Sequence, residues 1–286
     1  LLPQEQLELF DRFLNPDFDD GSDPLRLPRQ MDPMTFRLFE TIGEPLPSSI
    51  LPRAYAVADL RDIAGWKAQL EAAERLTRAG ALPDNLLLGL YTDRQPAASG
   101  GIWDRVAALQ RFETALRSSS AEAVAKTLPP AWEAMREASL EVAFATLFAE
   151  PLSTIPLAGH TATLARDIAL LSPNYEAAAA RVLGKSPEDE LLRAVARGEA
   201  PDGLAPEAPL AAAVPDAVTN PAPRADLMTL ARDKELGLAI LRLLSLLHDG
   251  ASGDTSALRD ALATLRALGL VDTARRAAWQ LVLIQQ

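Results

Sequence analysis

His160 and His248 are the only histidines in the chain, and no cysteine accompanies them. With so few imidazoles and no thiol, HExxH helices, cysteine-ligated zinc or iron–sulfur centres, thiolate nucleophiles and structural disulfides have no residues to build on. His160, in Gly159-His160-Thr161, stands where a helix running to Leu171 would open, and is the candidate for a general base or a ligand contact. His248 comes just before Asp249-Gly250, at a helix carboxyl end, where a cation is favoured by the exposed carbonyls. Ser99-Gly100-Gly101 has the composition of a serine nucleophile beside backbone donors, but Ala98 precedes it and no histidine lies upstream. It reads as a loop ahead of the helix that carries Trp103.

The carboxylates fare no better as catalysts. If Gly21 is set at the sixth position of a calcium loop in the run Asp17 to Asp23, Pro16 and Phe18 fall on ligand positions. Leu27 then stands where the closing Glu belongs. Glu188, Asp189 and Glu190 follow Ser186-Pro187 in a helix's first turn, where negative charge serves the helix dipole. Neither G-x-x-x-x-G-K-[ST] nor G-x-G-x-x-G occurs, so phosphate-cradling loops are not expected. The Glu-Ser pair of bacterial lytic transglycosylases is also missing. No cofactor and no metal follow from these residues. What remains for recognition is aromatic: Trp103, set just after the Gly-rich loop, and Tyr91 are the candidate binding residues together with His160, whereas Trp66 falls on an apolar helix stripe and is expected in the core.

Composition says what must position these residues. Hydrophobic residues make up 48% of 286 but aromatics only 5%, so the apolar content is Ala, Leu and Val, which suits close helix packing. A net charge of −11 opposes binding to nucleic acid or anionic lipid. Arg far outnumbers Lys, whose positions are Lys67, Lys126, Lys185 and Lys234. Together with the alanine content this matches a GC-rich bacterial coding bias. The lack of cysteine and a first residue of Leu1 favour the bacterial periplasm over the cytoplasm. The most apolar stretch, Leu236 to Leu247, is short and contains Arg242, so no transmembrane segment is expected.

Prolines divide the chain. Residues 1–56 carry Pro3, Pro16, Pro24, Pro28, Pro33, Pro45, Pro47 and Pro52 and are expected to form an extended arm with short helices, one opened by Asp32-Pro33. Residues 57–198 are expected to form a helical-hairpin domain. In it Ile63, Trp66, Leu70 and Ala73 line one helix face, Gly80 ends the helix, and Pro83-Asp84 opens a second helix bearing Leu86, Leu87, Leu90 and Tyr91. Further helices are expected through Ile102, Val106, Leu109, Phe112 and Leu116, and through Trp132, Met135, Val142 and Leu147 as one element. Residues 199–224, with six prolines from Pro201 to Pro223, read as a linker or surface excursion.

Residues 225–286 are expected to add C-terminal hairpins packed on the preceding domain. A single helix from Leu227 to Leu247 forms their buried centre, and Gly237 allows another helix to approach it. Leu258, Leu262 and Leu265 lead to Gly269, after which Asp272 caps the last helix.

The fold class expected is thus all-α: stacked helical hairpins, either solenoid-like or an irregular helical array. The tetratricopeptide pattern W-x₂-L-G-x₂-Y does not occur, and no repeat family is assigned. Function follows from the same features. The expectation is a non-catalytic helical scaffold, a bacterial envelope or complex component, whose partner is another protein or a second copy of itself. The alternative is an enzyme, or a binder of small ligands or cell-wall glycan, with a pocket between helices near His160.

Overall fold

The computed structural model describes Leu60 and residues 65–182, 184, 186–199, 213–217 and 222–284. The expected N-terminal arm, its acidic run and most of the proline-rich stretch 199–224 lie outside the described residues. Every regular element among those described is helical. The helices are α1 (Trp66–Arg78), α2 (Asp84–Thr92), α3 (Ile102–Arg117), α4 (Ala121–Arg136), α5 (Glu141–Leu152), α6 (Gly159–Leu171), α7 (Tyr175–Val182), α8 (Pro187–Arg197), α9 (Ala225–Arg232), α10 (Leu236–Ala251), α11 (Thr255–Ala267) and α12 (Val271–Ile284). The chain forms two compact units, Leu1–Gln110 and Arg111–Gln286, with the division inside α3.

In the first unit α1 and α2 form the expected hairpin. Gly80 adopts φ +67° and closes α1 with the left-handed turn that ends many helices. The N–H groups of Ala81 and Leu82 both return to the Leu76 carbonyl. Pro83 occupies the cap position of α2, where its missing N–H costs nothing. Trp66, Leu70, Ala73, Leu87 and Tyr91 are buried, as are Ile102 and Val106 of α3.

The second unit has two centres of packing. Phe112, Phe144 and Phe148 cluster with ring centroids 4.8–5.3 Å apart, and Trp132 lies edge-on to Phe144 at 5.6 Å. The expected single helix from Trp132 to Leu147 is in fact two. Ser139 takes φ +54° and the Leu140 N–H turns back to the Met135 carbonyl, which ends α4 and lets α5 bring Phe144 and Phe148 onto Phe112. The other centre joins Leu170, Tyr175, Leu191, Leu192 and Val195 to Leu243, Leu258, Leu262 and Trp279. The residues before and after 199–224 therefore share one core. Within that stretch, residues 213–217 form a helical turn whose Ala213, Val214 and Ala217 are buried in it.

Most consecutive helices from α4 onward pack on one another, but α12 also returns to pack on α6 and α8. A solenoid repeat touches only its sequence neighbours, so the second unit is the irregular array. Polar groups fix the return. The Tyr175 hydroxyl donates to Asp272 at 2.9 Å, and Arg275 donates from Nη1 to Glu176 at 2.5 Å and from Nη2 to the Arg197 carbonyl at 2.9 Å. Asp272, expected as the cap of the last helix, lies one residue inside it, and this contact is its role.

Candidate interaction surface

Near the end of the second unit the structure departs most from the sequence reading. The expected buried helix from Leu227 to Leu247 is broken into α9 and α10 at Asp233-Lys234-Glu235. Lys234 adopts φ +67° and the Glu235 N–H turns back to the Leu230 carbonyl. The break lets the two apolar segments fold against each other, so each offers one face to the core in place of a single helix buried all round.

α10 then uses only a narrow stripe for packing. Ala239, Leu243 and Gly250 are buried, with Ile240, Leu246 and Leu247 partly so. The opposite side faces solvent. Leu241 is 66% exposed, Leu244 53% and Leu238 40%, and Gly237, Ser245 and His248 share that side; Leu236, 46% exposed at the first turn, lies on the packed stripe with Ala239 and Leu243. Leu238, Leu241 and Leu244 thus stand at i, i+3 and i+6 on an uncovered helix face. A shallow groove of about 360 Å³ continues this face toward α9, lined by Arg224, Asp226, Leu241, Arg242 and Ser245.

The glycine expected to admit a neighbouring helix is not the one that does. A Cβ at Gly237 would meet nothing within 4 Å, whereas one at Gly250 would lie 2.8 Å from both Cα and Cβ of Leu258. α11 approaches α10 at Gly250, while Gly237 opens onto solvent.

The sequence-predicted site residues are dispersed. Tyr91 is completely buried, its hydroxyl donating to Glu74 Oε1 at 2.5 Å, so it offers no face to a partner and the binding role expected of it is corrected to a core role. Arg105 donates from Nε to Glu74 Oε1 at 2.8 Å and from Nη2 to Oε2 at 3.1 Å. Gln110 reaches the carbonyls of Tyr91 and Arg94 at 2.7 Å each. This network clips α1, α2 and α3 together around a carboxylate only 4% exposed. Burial, then the negative charge of Glu74, hold the Tyr91 hydroxyl well above the ordinary tyrosine range. Trp103 is half-buried, its ring 5.2 Å from that of Trp66, which donates from Nε1 to the Leu90 carbonyl at 3.1 Å.

His160 sits exposed in the first turn of α6. Nearby, α5 and α6 enclose a groove of about 400 Å³ lined by Leu152, Ile155, Leu157, Ala165, Arg166 and Ala169, to which His160 does not contribute. The one cation in that lining is already engaged. Arg166 donates to Asp167 at 2.8 Å and to Asp189 at 3.2 Å, and Asp189 is itself held by Ser186, the residue that caps α8. Among the described residues no three histidine, aspartate or glutamate side chains gather as metal ligands, and no helix is long and apolar enough to cross a membrane.

The leucines of α10 were visible in the sequence, but hydrophobicity alone assigned them to a core. The missing signal was Lys234, whose left-handed backbone splits the segment and turns half its surface outward. Compared with protein-family models, curated proteins and solved structures, the chain matches none of them.

Proposed function

We propose that this chain is a helical scaffold that acts by protein–protein association, and that the outer face of α10 is where association occurs. The observation that supports this reading is the exposure of Leu238, Leu241 and Leu244 on one side of a helix. Isolated surface leucines are ordinary, but three at i, i+3 and i+6 form a contiguous apolar strip, and covering such side chains returns roughly 1 kcal/mol apiece. The rim is polar, with Arg242, Asp249 and Lys234 exposed around it, as interface rims are.

The test is amine crosslinking in the native cell, followed by mass spectrometry of the linked peptides. Lys234, at the entry to α10, is the reactive group placed to report on this face. Crosslinks from Lys234 are expected in the wild-type protein and in Leu86→Glu, a control at the exposed leucine of α2. They are expected to disappear in Leu241→Glu. A wild-type protein with no intermolecular crosslink at Lys234 overturns the reading.

A further inference from the structure

We infer that the cavity between the carboxyl end of α8 and the helices α11 and α12 binds a monatomic anion, of which chloride is the abundant one, held between the guanidinium groups of Arg266 and Arg275.

Arg266 stands in the last turn of α11 and Arg275 inside α12, with a left-handed turn at Gly269 (φ +82°) joining the two helices. Both side chains run to the end of α8, where Gly198 takes φ +71°. There they satisfy carbonyls that a helix end leaves open. Arg266 donates from Nη2 to the Gly198 carbonyl at 3.5 Å, and Arg275 from Nη2 to the Arg197 carbonyl at 2.9 Å. Glycine at 198 makes this approach possible, because a Cβ there would lie 2.8 Å from Arg275 Nη2 and 2.9 Å from its Nε.

These bonds leave donors over. Arg266 Nη1 and Arg275 Nε are buried without a hydrogen-bond partner, and both side chains line one cavity of about 30 Å³ with Val195, Val214, Ala217 and Leu262. Arg275 has the Glu176 carboxylate beside its Nη1. Arg266 forms no ion pair among the described residues. Its charge is therefore desolvated and uncompensated, an arrangement that folded proteins carry where a negative charge meets it.

Size and hydrogen-bond chemistry select the ligand. The cavity matches the liquid volume of a single water, ~30 Å³, and is too small for phosphate, sulfate or a carboxylic acid. A water there would accept from both donors and then point its own two hydrogens at walls that are otherwise apolar. A monatomic anion only accepts, so the two N–H donors serve it fully, and it supplies the charge that Arg266 lacks. Val214 and Ala217 belong to the helical turn 213–217. The bound ion thus fastens that turn, α8, α11 and α12 at one point, and stabilises this part of the second unit by mass action.

The test is thermal unfolding of the full chain at constant ionic strength, with chloride exchanged for gluconate, which is too large for the cavity. Between about 5 and about 150 mM chloride the midpoint is expected to rise saturably by about 2–4 °C, as an affinity in the tens of millimolar gives for a unit of this size. Arg232→Met, which removes an exposed arginine of α9, is expected to keep the whole rise. Arg266→Met is expected to lose it. Gly198→Ala is expected to lose it too, because its methyl pushes the flexible Arg275 guanidinium aside while leaving both charges in place. Wild-type crystals grown in bromide are expected to show an anomalous peak touching Arg266 Nη1 and Arg275 Nε, a measurement that decides the question even where a variant fails to fold.

Equal midpoints in chloride and gluconate, or a full rise in folded Arg266→Met, overturn the proposal. So does bromide found at surface arginines alone, an adventitious ion only, or water without bromide between the two guanidinium groups.

Discussion

Replacing Arg105 with methionine removes the cation that grips Glu74 and leaves a buried carboxylate with the Tyr91 hydroxyl as its remaining side-chain donor among the described residues. The Glu74 side chain is 6% exposed and that of Arg105 14%, so water screens the pair little. Breaking a buried pair from one side typically costs 3–5 kcal/mol, because the stranded charge keeps its desolvation penalty. The residual exposure of Arg105 puts the expected cost near the lower end, about 3 kcal/mol.

Removing the whole network is a different matter. Glu74→Met, Tyr91→Phe and Arg105→Met together replace polar groups with apolar ones of similar volume and leave none of the three stranded, so the triple variant is expected within about 1.5 kcal/mol of wild type. The assay is native-state hydrogen exchange of peptides from α1 and α2 over a urea series, which reads the stability of this unit separately from the rest. A loss below about 1 kcal/mol for Arg105→Met, or a triple variant as unstable as the sum of the single ones, would refute the view that the network is a desolvated clip.

Other consequences can be measured the same way. Gly250→Ala drives a methyl into the α11 backbone at Leu258 and is expected to destabilise by about 1–3 kcal/mol. Gly237→Ala, in open space, is expected to stabilise the monomer by up to about 1 kcal/mol; urea melts at low concentration give both signs. Ser186→Ala removes the acceptor for the Asp189 N–H and should cost α8 about 1 kcal/mol, seen as faster exchange in its first turn. In an absorbance titration at 295 nm, Tyr91 should ionise last among the tyrosines. Because its folded pKa is raised, the stability it contributes is complete below pH 10 and is lost as pH rises beyond that value, so thermal midpoints should fall on the alkaline side, and less so in Tyr91→Phe.

Much of the architecture was legible without coordinates because helix signals are local. Gly80 and Ser186-Pro187 marked a stop and a start by backbone chemistry that operates within a few residues, and the placement of Trp66 in the core followed from its helical stripe. All-α character followed from a composition rich in alanine and leucine and poor in aromatic residues. What the sequence could not determine was decided by contacts between distant residues, or by single residues whose left-handed backbone no periodicity reveals. Ser139 and Lys234 each split an apolar run that reads as continuous. Tyr91 looked like a recognition aromatic until Glu74 and Arg105 were found around it, and Gly237 and Gly250 are indistinguishable until α11 is in place. The leucines of α10 show the principle most plainly: the sequence determined that the segment is apolar, while only tertiary packing decided which side of it meets the core and which is left exposed.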